Sequence, residues 1–436
     1  MKNFNCRKRQ ELLHGSIIYF IFTALFFIFS GLQSSVQAAE SGVNSNAAAG
    51  PQFPYPKQLE NNWPCFRGSN GSGVAPAAFI PVSCFETETG LLWKSPTPAD
   101  GASSPVVWEN NVFITGATSE KSSVFCYNGE TGDLRWSSEV TLPGYDRPAL
   151  TGLHEDTTLA ASTPATDGRC VYAVFPTGEL AAFDLEGKQV WAKNIWPLEN
   201  SFGFAASLTL YQNRLIVQLD LGARSKMLAL DTLTGKELWS TPRAVHDGWA
   251  SPVITGYNGQ LQLVTCGNPF VTGYDPVSGK ELWSIKALED NVVSTPIVAG
   301  NKVIAVSSSV LALDPGSKKI AWQFDEGVPD TTSPVSDGQY IYLLASGGEL
   351  NCLEARTGKK IWAHEFEGKF SASPVIIGKI LFLLSEKGAV YLLATGGEYK
   401  ELGHGELKDD FVASPAPSGT RLYIRGKTTL FCLGKR

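Results

Sequence analysis

The sequence is short of the residues from which metal and redox centres are built. Five histidines are scattered over 436 residues. No Cys-x-x-Cys occurs, which removes the spacing of covalent haem attachment and of zinc ribbons, and no two cysteines are adjacent. Apolar runs are scarce too. The longest, from Ile17 to Phe29, is broken by Thr23 and falls below the roughly 20 residues that span a bilayer. Basic charge is in deficit: the net charge is −6, which argues against nucleic acid and against anionic membrane surfaces as partners.

That apolar run follows Lys2, Arg7, Lys8 and Arg9 and precedes Val36-Gln37-Ala38. The order predicts an export signal over residues 1–38, cleaved after Ala38, with an uncleaved anchor as the alternative. The segment carries a net +3, so its removal leaves −9. Seven cysteines remain: Cys65, Cys84, Cys126, Cys170, Cys266, Cys352 and Cys432. An odd number cannot all pair within one chain. None follows the apolar run directly, so a lipid-modified N-terminus is not expected. Residues 39–60, rich in Ala, Gly, Asn, Ser and Pro, read as a flexible leader. Residues 61–436 read as one repeat domain.

The repeat is the dominant signal. Ala229-Leu230-Asp231 leads through Thr234-Gly235-Lys236 to Trp239, and Cys352-Leu353-Glu354 through Thr357-Gly358-Lys359 to Trp362. Variants of the same run end at Trp136, Trp191, Trp283 and Trp322; with Trp93, seven of the eleven tryptophans take this one position. A second marker, Ser or Thr before Pro, opens each unit at Pro105, Pro164, Pro252, Pro296, Pro334, Pro374 and Pro415, with Ser207-Leu208 in the remaining slot. The spacings of 59, 44, 44, 44, 38, 40 and 41 define eight units.

Each unit reads as four short strands. In the fourth, Ser251–Ile254, Leu261–Thr265, Phe270–Tyr274 and Glu281–Trp283 are separated by turn chemistry such as Asn258-Gly259. Four-stranded units of about 40 residues without helical periodicity predict propeller blades. Ten residues before most of the tryptophans stands Cys126, Ala229, Gly273, Ala312 or Cys352, as if a flat ring lies against a small side chain. Cys432 takes the same slot, so Cys126, Cys352 and Cys432 read as core fillers. The last unit lacks the Trp-bearing strand, and an orphan Thr89-Gly90-Leu91-Leu92-Trp93 precedes the first. The prediction is an all-β, eight-bladed β-propeller of four-stranded antiparallel blades, closed by an N-terminal strand.

These features resemble the quinoprotein repeat, whose tryptophan-docking motif Ala-x-Asp-x-x-Thr-Gly-x-x-x-Trp is reproduced from Ala229 to Trp239; the likeness covers residues 83–436. The Trp63-Pro64…Phe66-Arg67-Gly68 leader also resembles the start of many exported bacterial members. The resemblance implies one of two functions. One branch comprises dehydrogenases that hold pyrroloquinoline quinone (PQQ) and calcium in the central channel, commonly against a disulfide of adjacent cysteines. The other comprises non-catalytic, BamB-like scaffolds of outer-membrane assembly, which are usually lipid-anchored. The absence of a vicinal cysteine pair, of a haem segment and of long blade insertions favours the scaffold branch. The expectation is a periplasmic or secreted monomer, not membrane-spanning after cleavage, that binds a protein partner in the cell envelope without a cofactor. A PQQ- and calcium-dependent dehydrogenase is the alternative.

Candidate site residues lie in the lead-ins to the repeat prolines: Asp100, Asp156, Asp247, Asp290, Asp330 and Asp410. Placed around a ring they would form an electronegative funnel for a cation or a basic peptide, with hard oxygen ligands suited to calcium; alternatively each is a turn residue. His154-Glu155-Asp156 and His246-Asp247-Gly248-Trp249 place a histidine beside a carboxylate, the pairing used in acid–base chemistry. A third class, a carbohydrate-binding propeller, rests on Trp108, Trp196 and Trp249, which fall outside the docking position.

Overall fold

The computed structural model describes residues 59, 61–76, 90–145, 147, 158–195, 203–257 and 259–435. The expected signal and all of the leader but Leu59, and also Cys84, His154, Asp156 and Trp196, lie outside them. No helix among the described residues is long and apolar enough to cross a membrane.

The described strands form eight sheets, each built around four antiparallel strands. Blades 1 to 7 occupy residues 106–139, 165–194, 209–242, 253–286, 297–324, 335–365 and 375–406. Blade 8 combines residues 416–434 with Leu91–Pro96. Blade 4 follows the expected strands closely, as Val253–Tyr257, Gln260–Gly267, Phe270–Tyr274 and Glu281–Lys286. The two middle strands of a blade are covered by neighbouring blades on both faces. They therefore read as unbroken apolar runs, as in Ile380–Leu384. Outer strands such as Glu237–Pro242 face solvent and alternate between exposed and half-buried residues.

Closure takes the predicted form. Leu91–Pro96 pairs antiparallel with Thr429–Gly434, which sets Trp93 opposite Cys432. The same register recurs around the ring: Trp136 faces Cys126, Trp191 Ala182, Trp239 Ala229, Trp283 Gly273, Trp322 Ala312 and Trp362 Cys352. Each indole also reaches forward. Those of Trp93, Trp136, Trp191, Trp322 and Trp362 donate their N–H to backbone carbonyls of the next blade at 2.8–3.1 Å. The glycine of the Thr-Gly turn lies beneath the ring; a Cβ on Gly358, whose φ is +72°, would stand 2.5 Å from Trp322. Absence of a side chain there is what lets the blades meet.

Trp283 corrects the uniform docking scheme. Its N–H donates to Gln262 of its own blade at 2.7 Å. The next turn carries Ser317-Lys318 in place of Thr-Gly, and Lys318 itself takes the positive φ of 56°. The ring still packs across the seam, in one cluster with Val303 and Leu313 of blade 5. Blade 7 has no indole at all, and Gly403 stands opposite Leu392 where one would be.

The six described cysteines are all buried and free. Burial pushes the thiols of Cys65, Cys126, Cys266, Cys352 and Cys432 up to about 12, which fits fillers rather than nucleophiles.

Candidate functional site

The Ser or Thr before each repeat proline does more than mark a boundary. The backbone N–H of Ser104 donates to Oγ1 of Thr163, and that of Thr163 to Oγ of Ser207. The chain of donations continues through Ser251, Thr295, Ser333, Ser373 and Ser414. It ends where Ser414 donates to Oγ of Ser104 at 3.0 Å. Eight hydroxyls thus form a closed collar around the axis. Ser207 holds its place in this circle although Leu208 replaces the proline.

A strap, residues 61–76, closes one end of the axis. Asn61 accepts from Ser418 of blade 8, Trp63 exchanges two backbone bonds with Val107 of blade 1, and Pro64 accepts from Thr166 of blade 2. Val74–Ala75 then adds a fifth, parallel strand against Ile376–Ile377 of blade 7. Between these anchors Arg67, 1% exposed, donates to the carbonyls of Ser333, Pro334 and Pro374 at 3.5, 2.5 and 3.4 Å, and to those of Gly71 and Ser72 within the strap. Burial lowers its pKa, because desolvation disfavours the charged form. Closure belongs to Leu91–Pro96 alone; residues 61–76 plug the channel instead.

The result is a blind well of about 140 Å³, with Phe66 at its base, the hydroxyl collar around it and Trp249 and Val412 on its wall. Its lining holds no Asp, Glu, His, Lys or Arg. Ligand pockets for drug-sized molecules run to roughly 300–1,000 Å³. Among the described residues no group of three His, Cys, Asp or Glu is placed to hold a metal. The residues of the well therefore do not fit a quinone with a calcium ion.

The described lead-in acids do not line the well. Asp100 and Asp410 line an adjoining cavity of about 350 Å³, which shares Val412 with the well, together with Lys387, Arg425 and Lys427. Asp410 pairs with Lys387 at 2.8 Å, and that hydrogen bond holds its carboxyl below the usual range. Asp330 accepts from the backbone and hydroxyl of Ser346 at 3.3 and 2.7 Å, a turn-capping role. Asp290 adopts a left-handed φ of 56°, and its carbonyl accepts from Asn268. His246 is exposed, and its backbone N–H donates to Asn268. Asp247 is half-buried near Asp220. Of the HDGW run only Trp249 reaches the well, donating its indole N–H to Gly203 at 3.2 Å. Trp108 is 5% exposed and lies over Gly168, so it is core and not a sugar platform.

Two buried cations were not singled out from the sequence. Arg243 and Asp220 form an ion pair with side chains 1% and 0% exposed, at 2.7 Å, joined by Gln218 and Tyr274. Burial raises the pKa of Asp220, with Asp247 adding to the shift and Arg243 opposing it. Arg425 is the other. Its strand position, two residues after Tyr423, corresponds to Leu384, Leu344, Val306 and Cys266 in other blades. The remaining blades hold Thr115, Val174 and Gln218 there, so a lone charge in an otherwise uncharged slot was the available signal.

Eight blades around an axial channel, seven of them carrying a docking tryptophan, define a β-propeller of the PQQ-like repeat class. The chain belongs to the family described as outer membrane protein assembly factor BamB, whose model matches residues 77–218 and 223–432. It is 25% identical over 258 residues to the outer membrane protein assembly factor BamB of Moranella endobia (strain PCIT), a match covering 53% of this chain and 61% of the relative. The chain thus spans about three fifths of that relative's length. BamB from Moraxella catarrhalis superposes with a TM-score of 0.60 at 16% identity, over 79% of this chain and 99% of that one. The quinohemoprotein alcohol dehydrogenase of Comamonas testosteroni superposes at 0.63 and 14%, over 86% and 81%. At these identities the structural likenesses establish the fold alone.

Proposed function

We propose that this chain is an exported, non-catalytic propeller scaffold that binds another protein of the cell envelope, docking it at the open mouth of the well. The observation that carries this reading is the well itself: uncharged, small and stoppered at one end by Phe66 and Arg67. Such a channel offers a partner an uncharged, hydroxyl-lined socket with apolar groups at its mouth, and offers a cofactor no charged ligands. Val412, 49% exposed, and the half-buried Trp249 supply the kind of apolar anchor that interface hot spots use. Membership of the BamB family supports the scaffold class.

The test is site-specific photo-crosslinking in the envelope fraction from position 412, with position 277 on an outer turn as control. A single adduct from 412, absent from 277 and lost in Trp249→Ala, supports the docking face. Equal crosslinking from both positions, or oxidation of alcohols or sugars by the protein supplied with PQQ, calcium and an artificial electron acceptor, overturns the reading.

A further inference from the structure

Each collar hydroxyl accepts one backbone N–H and, among the described residues, donates to no protein acceptor. The eight collar residues are 1–5% exposed, yet all of them line the well. Eight O–H donors therefore border its interior without an acceptor from the fold. Buried donors left unmade are costly, so the interior of the well is where their acceptor belongs. An oxygen that already accepts an N–H is also polarised into a stronger donor, because bonds in a chain reinforce one another.

The charge beside these donors is positive. Phe66 floors the well, and the next residue, Arg67, reaches the collar itself through the carbonyl of Ser333. Its other bonds also go to carbonyls, and no carboxylate pairs with it among the described residues. Burial alone pushes its pKa down, to about 9, so it stays charged at pH 7. The adjoining cavity does not offset it, since Lys387, Arg425 and Lys427 there face Asp100, Glu386 and Asp410. Asp290 and Asp330 are exposed, where water and salt screen them, and the half-buried Asp247 does not line the well. A cation in the well would meet the guanidinium's field and find no carboxylate. Water would satisfy the hydroxyls but leave Arg67 uncompensated. A small anion does both.

The walls narrow the choice. Two residues before each collar residue the rim is uncharged, with Ala102, Ala205, Trp249, Val293 and Val412 among its members. An apolar rim and an aromatic floor favour a weakly hydrated monovalent ion over sulfate or phosphate, whose desolvation costs more. About 140 Å³ has room for such an ion and several waters.

We infer that the collar holds a monovalent anion of the halide class over Phe66, on the arc nearest Arg67, where the hydroxyls of Ser333 and Ser373 donate to it. The site occupies the well that a docked partner would cap, but it needs no partner. Its test uses this protein alone, so its failure leaves the crosslinking result standing. Chloride NMR line broadening at pH 7, with chloride replacing gluconate at constant sodium, measures the affinity. The expected result is a saturable broadening that bromide displaces and that gluconate and sulfate do not. Ser333→Ala weakens binding roughly tenfold, whereas Ser333→Thr, which keeps a hydroxyl as at Thr163 and Thr295, retains it. Arg67→Gln removes the charge and weakens binding by a similar factor, while Arg67→Lys retains most of it. Affinity is read on variants that still melt cooperatively, so lost stability does not imitate lost binding; the Ser333 pair decides where an Arg67 variant fails to fold. Crystals grown in bromide should show its anomalous signal within hydrogen-bonding reach of Ser333 and Ser373. The absence of saturable broadening, an unchanged affinity in Ser333→Ala, or bromide found only elsewhere with water in the collar overturns the inference.

Discussion

The backbone N–H of Ser414 donates to the hydroxyl of Ser104 at 3.0 Å, although 310 positions separate them. Seven links of the collar join consecutive blades, and this one joins the last to the first. Replacing any collar hydroxyl leaves a buried N–H without an acceptor, which costs about 1–3 kcal/mol. Ser104→Ala and Ser373→Ala should therefore destabilise equally in urea melts, despite the different sequence distances they span. A much smaller loss for Ser104→Ala would mean that the ring is not closed in solution.

Docking predicts a contrast between two glycines. Gly358 has φ +72° and would place a Cβ 2.5 Å from Trp322, whereas Gly338 has φ +95° with nothing within 4 Å. Alanine at 338 adds only backbone strain, about 1–2 kcal/mol. Alanine at 358 adds overpacking of about 1–3 kcal/mol on top of similar strain. Denaturant unfolding of both variants checks the difference.

The Asp220–Arg243 pair is fully buried, so removing one partner strands a charge. Asp220→Ala should cost about 3–5 kcal/mol. The double variant Asp220→Leu with Arg243→Met should recover most of it, which a double-mutant cycle reads directly. A double variant as unstable as the single one would show that the surrounding Gln218 and Tyr274, not the charges, hold the site.

Alkaline pH should weaken the fold through its thiols. An unfolded cysteine ionises near 9, while Cys266 and Cys65 are pushed up to about 12 by burial. Between those values the folded state binds more protons than the unfolded state, so stability falls as pH rises. The slope approaches about 1.4 kcal/mol per pH unit for each such thiol. Urea melts at pH 8 and pH 10.5, in the native chain and in Cys266→Ala, measure it; the variant should show the shallower fall.

Closure was legible in the sequence because a missing element at one end matched an orphan at the other, Trp93 and Cys432 each holding the motif position that the other pairs hold. The docking scheme was legible for the same reason; it departs at Trp283, where the following turn leaves the motif, at Trp239, whose indole N–H finds no acceptor, and in blade 7, which has no indole. The strap was not. Arg67 binds carbonyls 266 to 307 positions away, and backbone acceptors carry no side-chain signature. The described lead-in acids, read as copies converging on one opening, do not line the well. Asp330 caps a turn through Ser346, while Asp410 pairs with Lys387 and shares a cavity with Asp100. Arg425 could have been found only by lining up the second strands and asking which one held a charge.

The strap also bears on biosynthesis. Residues 61–76 leave the ribosome before any blade, yet their grip depends on Pro334, Pro374 and Ile376, which emerge some 260 to 315 residues later. A prematurely terminated chain would carry Arg67 with nothing to receive it and Trp93 with no strand to cover. Incomplete products would thereby announce themselves to proteolysis, and only a full-length polypeptide could conceal both ends.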